Sequence, residues 1–204
     1  RRLSAELCAP VSAQPCVIKI RLKRQGRHTA FFGGELTQEG TTVALAHITC
    51  GSNRVSDLDT RTMQTFPKPS GPSIPSSGMM PDFAQFFEYW PDHGFPMSGI
   101  TEETLRTGGW IAPRFESPST TALIVALMDA WWPAVFTAAT SPRPMGTMSF
   151  AVDLLDTQTA ITEPCYLQIE TDHVANGYAV ETDKLWNGQG QLLAQAQQNI
   201  AVIA

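Results

Sequence analysis

The chain has 204 residues, of which 43% are hydrophobic and 16% are charged, and its net charge is −5 at pH 7. This composition suits one large domain or two small ones with a proper core, and it excludes the disordered, highly charged class. The acidic balance, 14 Lys and Arg against 19 Asp and Glu, argues against a nucleic-acid partner, because phosphate binding needs a concentrated basic field.

The first predicted strands recur later in the chain. Residues 14-QPCVIKI-20 reappear as 163-EPCYLQI-169, and 35-ELTQEGTTVALAHIT-49 reappears as 185-LWNGQGQLLAQAQQN-199. Order and spacing persist over more than thirty residues, so we interpret the pattern as an internal duplication. The second copy continues upstream into an apolar helix, whereas the first copy starts at Arg1. We therefore expect the intact polypeptide to carry a further strand and helix before Arg1.

The segment between the copies is rich in Pro, Gly and Ser, notably in 67-PKPSGPSIPSSG-78. Such composition is typical of a linker or surface loop. We accordingly divide the chain into the C-terminal part of a first repeat (1–50), a linker (51–82) and a second repeat (83–204).

The second copy opens with 83-FAQFFEYW-90, which periodicity leaves open as a strand or a short docked helix. Residues 108-GGWIAPRF-115 predict a strand leading into a helix. Ser117 then provides an N-cap, with Pro118 at the first helical position.

The predicted helix contains 121-TALIVALMDAWWPAVF-136, with Asp129 in its middle and Pro133 just after. A membrane span needs about 20 apolar residues and a central Asp disfavours one, so we expect a buried central helix. Pro133 has no N–H, so the carbonyl of Asp129 loses its usual partner and the helix should bend or loosen there. A buried carboxylate must be paired, hydrogen-bonded or neutralised. Asp129 is therefore a candidate site residue, or else a structural Asp tied to backbone amides at a second helix start.

Runs 145–155, 163–173, 177–187 and 191–203 predict the remaining strands, and Gly188-Gln189-Gly190 predicts the last hairpin turn. Period-two alternation puts an apolar face on the last strand, and Gln198 is the one polar residue on it. The first copy has Ile48 at that position. A buried carboxylate needs a hydrogen-bond donor, so we expect the side-chain amide of Gln198 to donate to Asp129. Taken singly, Asp129 and Gln198 each also have an ordinary structural explanation.

Thr147 opens the strand 147-TMSFAVDLL-155, where a hydroxyl can help to hold a water. Parity favours Met148, Phe150, Val152 and Leu154 as the apolar face of that strand. Taken alone, Thr147 therefore reads as a plain strand residue.

These stretches, together with DAWWPAVF, TMSFAVDL and NGYAVETDKLWNGQGQLLAQAQQ, resemble the acyl-CoA thioesterase II family, in a divergent branch. The resemblance implies an α+β double hotdog fold, two fused hotdog repeats in which an antiparallel sheet wraps around a long helix. The first repeat here lacks the strand and helix with which that family begins. The resemblance also implies hydrolysis of an acyl-CoA thioester to CoA and a free acid, by a water held by Asp129, Thr147 and Gln198.

The same resemblance implies no cofactor, no metal and a homodimer. Trp131 and Trp132 follow the Asp and either wall the substrate-binding pocket or belong to the core. The alternative function is a catalytically silent hotdog protein that binds an acyl ligand or serves as an assembly module.

The other polar motifs are weaker signals. Lys19, Arg21 and Lys23 alternate along one predicted strand, and three interpretations are open. The row binds the phosphates of CoA, or it is a solvated face of the sheet. Alternatively, it lies across a seam between the two copies from Gln168, Glu170 and Asp172. The four cysteines form no C-x-x-C pair and the histidines show no metal spacing. Reduced thiols fit a cytoplasmic protein.

Overall fold

The computed structural model describes residues 1–74, 80–117 and 119–203. Within these residues ten strands form one antiparallel sheet, in the order β2-β3-β4-β1-β7-β10-β9-β8-β6-β5. The strands are β1 (Arg2–Leu7), β2 (Val17–Gln25), β3 (Thr29–Gln38), β4 (Thr41–Gly51), β5 (Phe87–His93), β6 (Leu105–Pro113), β7 (Met145–Leu154), β8 (Cys165–Ala175), β9 (Tyr178–Trp186) and β10 (Leu192–Val202). The four strand runs expected in the second copy are confirmed to within about two residues at each end.

The order of the strands contains the duplication. One half of the sheet reads β2-β3-β4-β1 and the other, from the far side, β8-β9-β10-β7. The halves meet where β1 pairs antiparallel with β7, with Ala5 opposite Phe150. Each half is the same four-strand unit, so the repeat inferred from the sequence is a repeat of structure.

The halves differ in what covers them. In the second half, β6 and β5 extend the sheet beyond β8, and the helix α1 (Thr120–Asp129) packs on β6, β9 and β10. Within residues 1–74 the structure describes no helix. The side chains of Ile18, Ile20 and Leu22 on β2 are 66%, 60% and 52% exposed. The core therefore lies in the second half of the molecule.

The helix is shorter than the sequence predicts. It ends at Asp129, and a separate 3-10 helix runs from Ala134 to Thr137. The expectation of one helix through Phe136 is wrong, because Pro133 offers no N–H to the carbonyl of Asp129. Asp129 is consequently the last helical residue, and the hydroxyl of Tyr89 satisfies the next carbonyl, that of Ala130, over 2.9 Å.

The helix also begins later than predicted. The N-cap is Ser119, whose Oγ accepts from the backbone N–H of Ala122 over 3.2 Å. The Ser117 hydroxyl instead bonds to the carbonyl of Ser119. Pro118 lies outside the described residues.

The apolar segment Thr120–Thr137 has a mean hydropathy of 1.3 and is long and apolar enough to suggest a membrane span. Its regular α-helix has only ten residues, which rise about 15 Å, half of the ~30 Å hydrocarbon core of a bilayer. Its buried side chains Leu123, Ile124, Leu127 and Met128 pack into the core. The expectation of a central core helix therefore holds for its first ten residues.

Both predictions for residues 83–90, a strand and a short helix, are confirmed in part. A 3-10 helix spans Asp82–Phe86 and runs directly into β5, which begins at Phe87. The strand predicted from 108-GGWIAPRF-115 is confirmed as β6.

Candidate functional site

A cavity of about 810 Å³ opens where α1 ends. Its walls include residues 129–133 and Phe136, the start of β7, and residues of β9 and β10. Most of its lining is apolar or aromatic, including Phe83, Phe95, Met97, Trp132, Phe136 and Met145. An apolar cavity of this size with a few converging polar groups is typical of a small-molecule site.

Asp129 places its carboxylate on the wall of this cavity. The residue is accessible to solvent, yet the protein around it raises the pKa of the carboxyl by desolvation to about 6. Solvent access and desolvation occur together here because the carboxyl faces a recess in the protein rather than the outer surface. Among the described residues no hydrogen-bond donor reaches its carboxylate, so the end of the helix leaves Asp129 free to bind a ligand or a water.

Thr147 also lines the cavity, and a β-bulge is the reason. Along the β7–β10 pair, Asn199 lies opposite Ser149 but Ile200 lies opposite Thr147, so Met148 is an extra residue. A bulge reverses the parity of the residues beyond it. The prediction that Met148 belongs to the apolar face is wrong: Met148 is 41% exposed, while Thr147 is half-buried and lines the cavity.

Gln198 lies on the buried face of β10, as the alternation predicts, and is 5% exposed. Its side-chain oxygen accepts from the hydroxyl of Thr147 over 3.1 Å. Its side-chain nitrogen donates to Oδ2 of Asp183 over 2.8 Å. The amide was expected to serve Asp129, and the structure gives it a different carboxylate.

Asp183 and Glu181 on β9 are the residues that the sequence reading missed. Asp183 is 0% exposed and Glu181 is 1% exposed, and the two share a face of β9 with the buried Ala179 and Leu185. The same alternation that singled out Gln198 would have found them. The duplication offered a second indication. Gln198 pairs with Glu181 in the second half, whereas the corresponding pair in the first half, Ile48 and Phe32, is apolar.

Burial dominates the electrostatics of these acids. It raises the pKa of Asp183 to about 7, against the lowering effect of the Gln198 amide, and the charge of Asp129 raises it further. Burial also raises the pKa of Glu181, and the charge of Asp183 adds to that rise. Glu181 accepts the backbone N–H of Ala134 over 2.6 Å, which ties β9 to the start of the 3-10 helix.

The two tryptophans combine both roles considered for them. Trp131 is 6% exposed and donates from Nε1 to the Thr107 hydroxyl over 3.1 Å, so it belongs to the core while touching the cavity. Trp132 is half-buried on the cavity wall and donates from Nε1 to the carbonyl of Gly94 over 2.9 Å.

The basic row on β2 lies at the far edge of the sheet and does not line the cavity. The proposed seam between this row and β8 is wrong, since the halves meet at β1 and β7. On β8, Glu170 instead pairs with Arg106 of β6 over 3.0 Å. Within the described ranges, no cluster of three or more His, Cys, Asp or Glu side chains is arranged to hold a metal ion.

An antiparallel sheet with a helix packed on its face, repeated within one chain, matches the architecture of the hotdog class of proteins. Residues 1–51 match the acyl-CoA thioesterase N-terminal domain, and residues 58–202 match the acyl-CoA thioesterase C-terminal domain. The chain belongs to the acyl-CoA thioesterase family.

Solved structures agree on the fold. A conserved protein of unknown function with hot dog fold from Alicyclobacillus acidocaldarius is 24% identical, with a TM-score of 0.88 over 100% of this chain and 78% of that one. A tesB protein from Mycobacterium avium subs. paratuberculosis is 15% identical, with a TM-score of 0.75 over 100% and 78%. An acyl-CoA thioesterase II, TesB2, from Mycobacterium marinum is 15% identical, with a TM-score of 0.75 over 98% and 79%. A search of curated proteins gave no match.

Proposed function

We propose that the protein hydrolyses an acyl-CoA thioester to CoA and a free acid, at the cavity beside Asp129. One observation carries the proposal. The free carboxylate of Asp129 and the Thr147–Gln198 pair, which come from three separate elements, line the same apolar cavity. Membership of the acyl-CoA thioesterase family supports acyl-CoA as the class of substrate.

Asp129 is the general base in this proposal. A general base works best when its pKa lies near the working pH. Burial raises the pKa of Asp129 to about 6, so the group is more basic than an exposed Asp and still mostly ionised at neutral pH. The carboxylate takes a proton from water while the water oxygen attacks the thioester carbonyl. The C–S bond then breaks, and the proton passes from Asp129 to the departing thiolate of CoA.

Thr147 and Gln198 hold that water in place. Their mutual hydrogen bond of 3.1 Å fixes the Thr147 hydroxyl next to the cavity. Holding a reactant in an attacking geometry removes part of the entropic barrier. Neither side chain needs to change its own charge during the reaction.

The apolar wall takes the acyl chain. Trp132 and Phe136 give it a rigid aromatic surface, and Met97 and Met145 add adaptable thioethers. Arg143 is the one Lys or Arg among the described residues of this lining, and it is exposed. We assign its guanidinium to the anionic phosphates of the CoA portion, which stay outside the apolar recess.

Thiol release from a panel of acyl-CoAs of different chain lengths tests the proposal, with Asp129→Asn as the matched variant. Hydrolysis by the wild type and a loss of about a hundredfold or more in kcat for Asp129→Asn are expected. No release at any chain length, combined with tight binding of a non-hydrolysable thioether analogue, would instead establish the silent acyl binder. Equal rates for both proteins would remove Asp129 from its role.

The homodimer and the cytoplasmic location expected from the sequence stay predictions. Sedimentation equilibrium tests the dimer, and fractionation of cells that express the protein tests the location.

A further inference from the structure

The side-chain amide of Gln198 lies between two partners on neighbouring strands. Its nitrogen donates to Asp183 on β9 over 2.8 Å, and its oxygen accepts from Thr147 on β7 over 3.1 Å. Asp183 and Gln198 are 0% and 5% exposed, so water does not compete freely for either of them. Three strands thus contribute one continuous chain of hydrogen bonds.

A glutamine amide has nearly the same shape when its oxygen and nitrogen exchange places, so packing alone does not choose between the two orientations. Hydrogen-bond partners decide the choice. A carboxyl oxygen that carries no proton only accepts hydrogen bonds, and Oδ2 of Asp183 in this role draws the nitrogen of Gln198 toward itself. The oxygen of Gln198 is then left to face Thr147.

This orientation determines what Thr147 offers to the cavity. A threonine hydroxyl has one proton to donate and two lone pairs that accept. Its proton is used on Gln198, so only its lone pairs remain for a water molecule. A water that donates one hydrogen to Thr147 and the other to Asp129 keeps its own lone pairs free for attack on a carbonyl. The reversed amide would donate to Thr147 and leave the hydroxyl proton to occupy a lone pair of the water.

We propose that Asp183 is a positioning residue that holds the amide of Gln198 in the orientation which makes Thr147 a hydrogen-bond acceptor for the nucleophilic water. Asp183 does not line the cavity and acts only through Gln198. Its second oxygen, Oδ1, is buried without a partner in the part of the chain that the structure describes. An unpaired buried acceptor costs about 1–3 kcal/mol, which argues for a role other than stability. The inference rests on the proposed hydrolysis.

Four variants test it: Asp183→Leu, Asp183→Asn, Gln198→Glu and the double variant Asp183→Asn/Gln198→Glu. Leucine removes the acceptor, so kcat should fall about tenfold or more with KM within about twofold, while Tm stays level or rises because a buried carboxyl is lost. Asparagine can still accept from Gln198 through its oxygen and should lose less. Gln198→Glu removes the donor of this hydrogen bond and places a second acceptor beside Asp183.

The double variant restores a donor to this pair. The new amide at position 183 can donate to the new carboxylate at position 198, and Thr147 again donates to that carboxylate. The kcat of the double variant should therefore recover about tenfold over that of Gln198→Glu alone.

Asp153→Asn is the matched control, because its carboxylate lies on the outer side of β7 and pairs with Arg2. The charged groups near Asp183 are Asp129 from α1 and Glu181 on its own strand. Asp129 ionises first, since its charge raises the pKa of Asp183, so replacing Asp183 should lower kcat without moving the acidic limb of kcat/KM near pH 6.

A measurement without turnover separates this inference from the proposed function. In protein labelled with 15N-glutamine, the side-chain NH2 signals of Gln198, assigned by their loss in Gln198→Glu, should be protected from exchange in the wild type and lose that protection in Asp183→Leu. An inactive wild type that shows this protection would overturn the hydrolysis alone. An active wild type whose Asp183→Leu variant keeps full kcat, or a double variant no better than Gln198→Glu, would overturn the positioning role.

Discussion

Thr147 donates its hydroxyl proton to the side-chain oxygen of Gln198 over 3.1 Å. The bond depends on the bulge at Met148, which turns Thr147 toward the inner face against the parity of the rest of the strand. Bulges often lie beside active sites, where they aim a side chain. The two residues thereby present a hydroxyl to a cavity that Asp129 also lines.

Thr147→Val should lower kcat by about tenfold or more, because it leaves the oxygen of Gln198 without its donor and removes the group that holds the water. Thr147→Ser keeps the hydroxyl and should retain most of the activity. Thiol-release kinetics compare the two, with the outward-facing Met148→Ala as control. A valine variant as fast as the serine variant would contradict the assignment.

The pH dependence of kcat/KM should show one rise near pH 6. Burial raises the pKa of Asp129 to about 6, so the base is protonated and inactive below that value and ionised above it. Rates measured between about pH 4.5 and 8 test this. The acidic limb should vanish in Asp129→Asn, and a limb that survives there belongs to another group.

Folding stability should fall as the pH rises from about 4 to 7. The pKa of Asp183 is raised from its ordinary value to about 7, so the folded state binds a proton that the unfolded state has already released. The stability contributed by this proton is present below the unfolded pKa and is lost as the pH rises through the folded pKa. Urea unfolding at a series of pH values measures the slope, and Asp183→Asn should flatten it. An equally steep slope in the variant would be the contrary result.

Trp132→Ala should shift the preferred substrate toward longer acyl chains, because the indole occupies part of the cavity wall. The control is Trp90→Ala. Trp90 is likewise half-buried and donates from Nε1 to a backbone carbonyl, that of Gly71, but does not line the cavity. Comparing kcat/KM along a chain-length series separates a change of pocket from a general loss of stability. The same optimum in Trp132→Ala as in the wild type would exclude this wall as the limit.

Arg143→Ala should raise KM for acyl-CoA by about tenfold while leaving KM for the matching acyl-pantetheine thioester within about twofold, since only the former carries the phosphates. Added salt should weaken binding of acyl-CoA to the wild type more than to the variant. Arg24→Ala, on the distant edge strand β2, serves as control. Equal losses for both substrates would assign Arg143 a structural part instead.

The amino-acid sequence by itself determined the local features and the duplication. Two copies of one strand pattern predicted the paired halves of the sheet. Period-two alternation put Gln198 on the buried face, because side chains of a regular strand must alternate. Pro133 marked the place where the helix breaks, since proline has no N–H. Each of these patterns is carried by residues that lie close together in the chain.

Tertiary structure alone decided which side chains meet. The partner of Gln198 is Asp183 rather than Asp129, because strand pairing sets β9 beside β10. Thr147 faces the cavity because an unpaired residue in β7 reverses parity, and no periodic pattern carries that information. The raised pKa values of Asp129 and Asp183 come from burial by elements far apart in the chain. Distances and desolvation arise only when those elements pack, so the chemistry of this site is a property of the folded molecule.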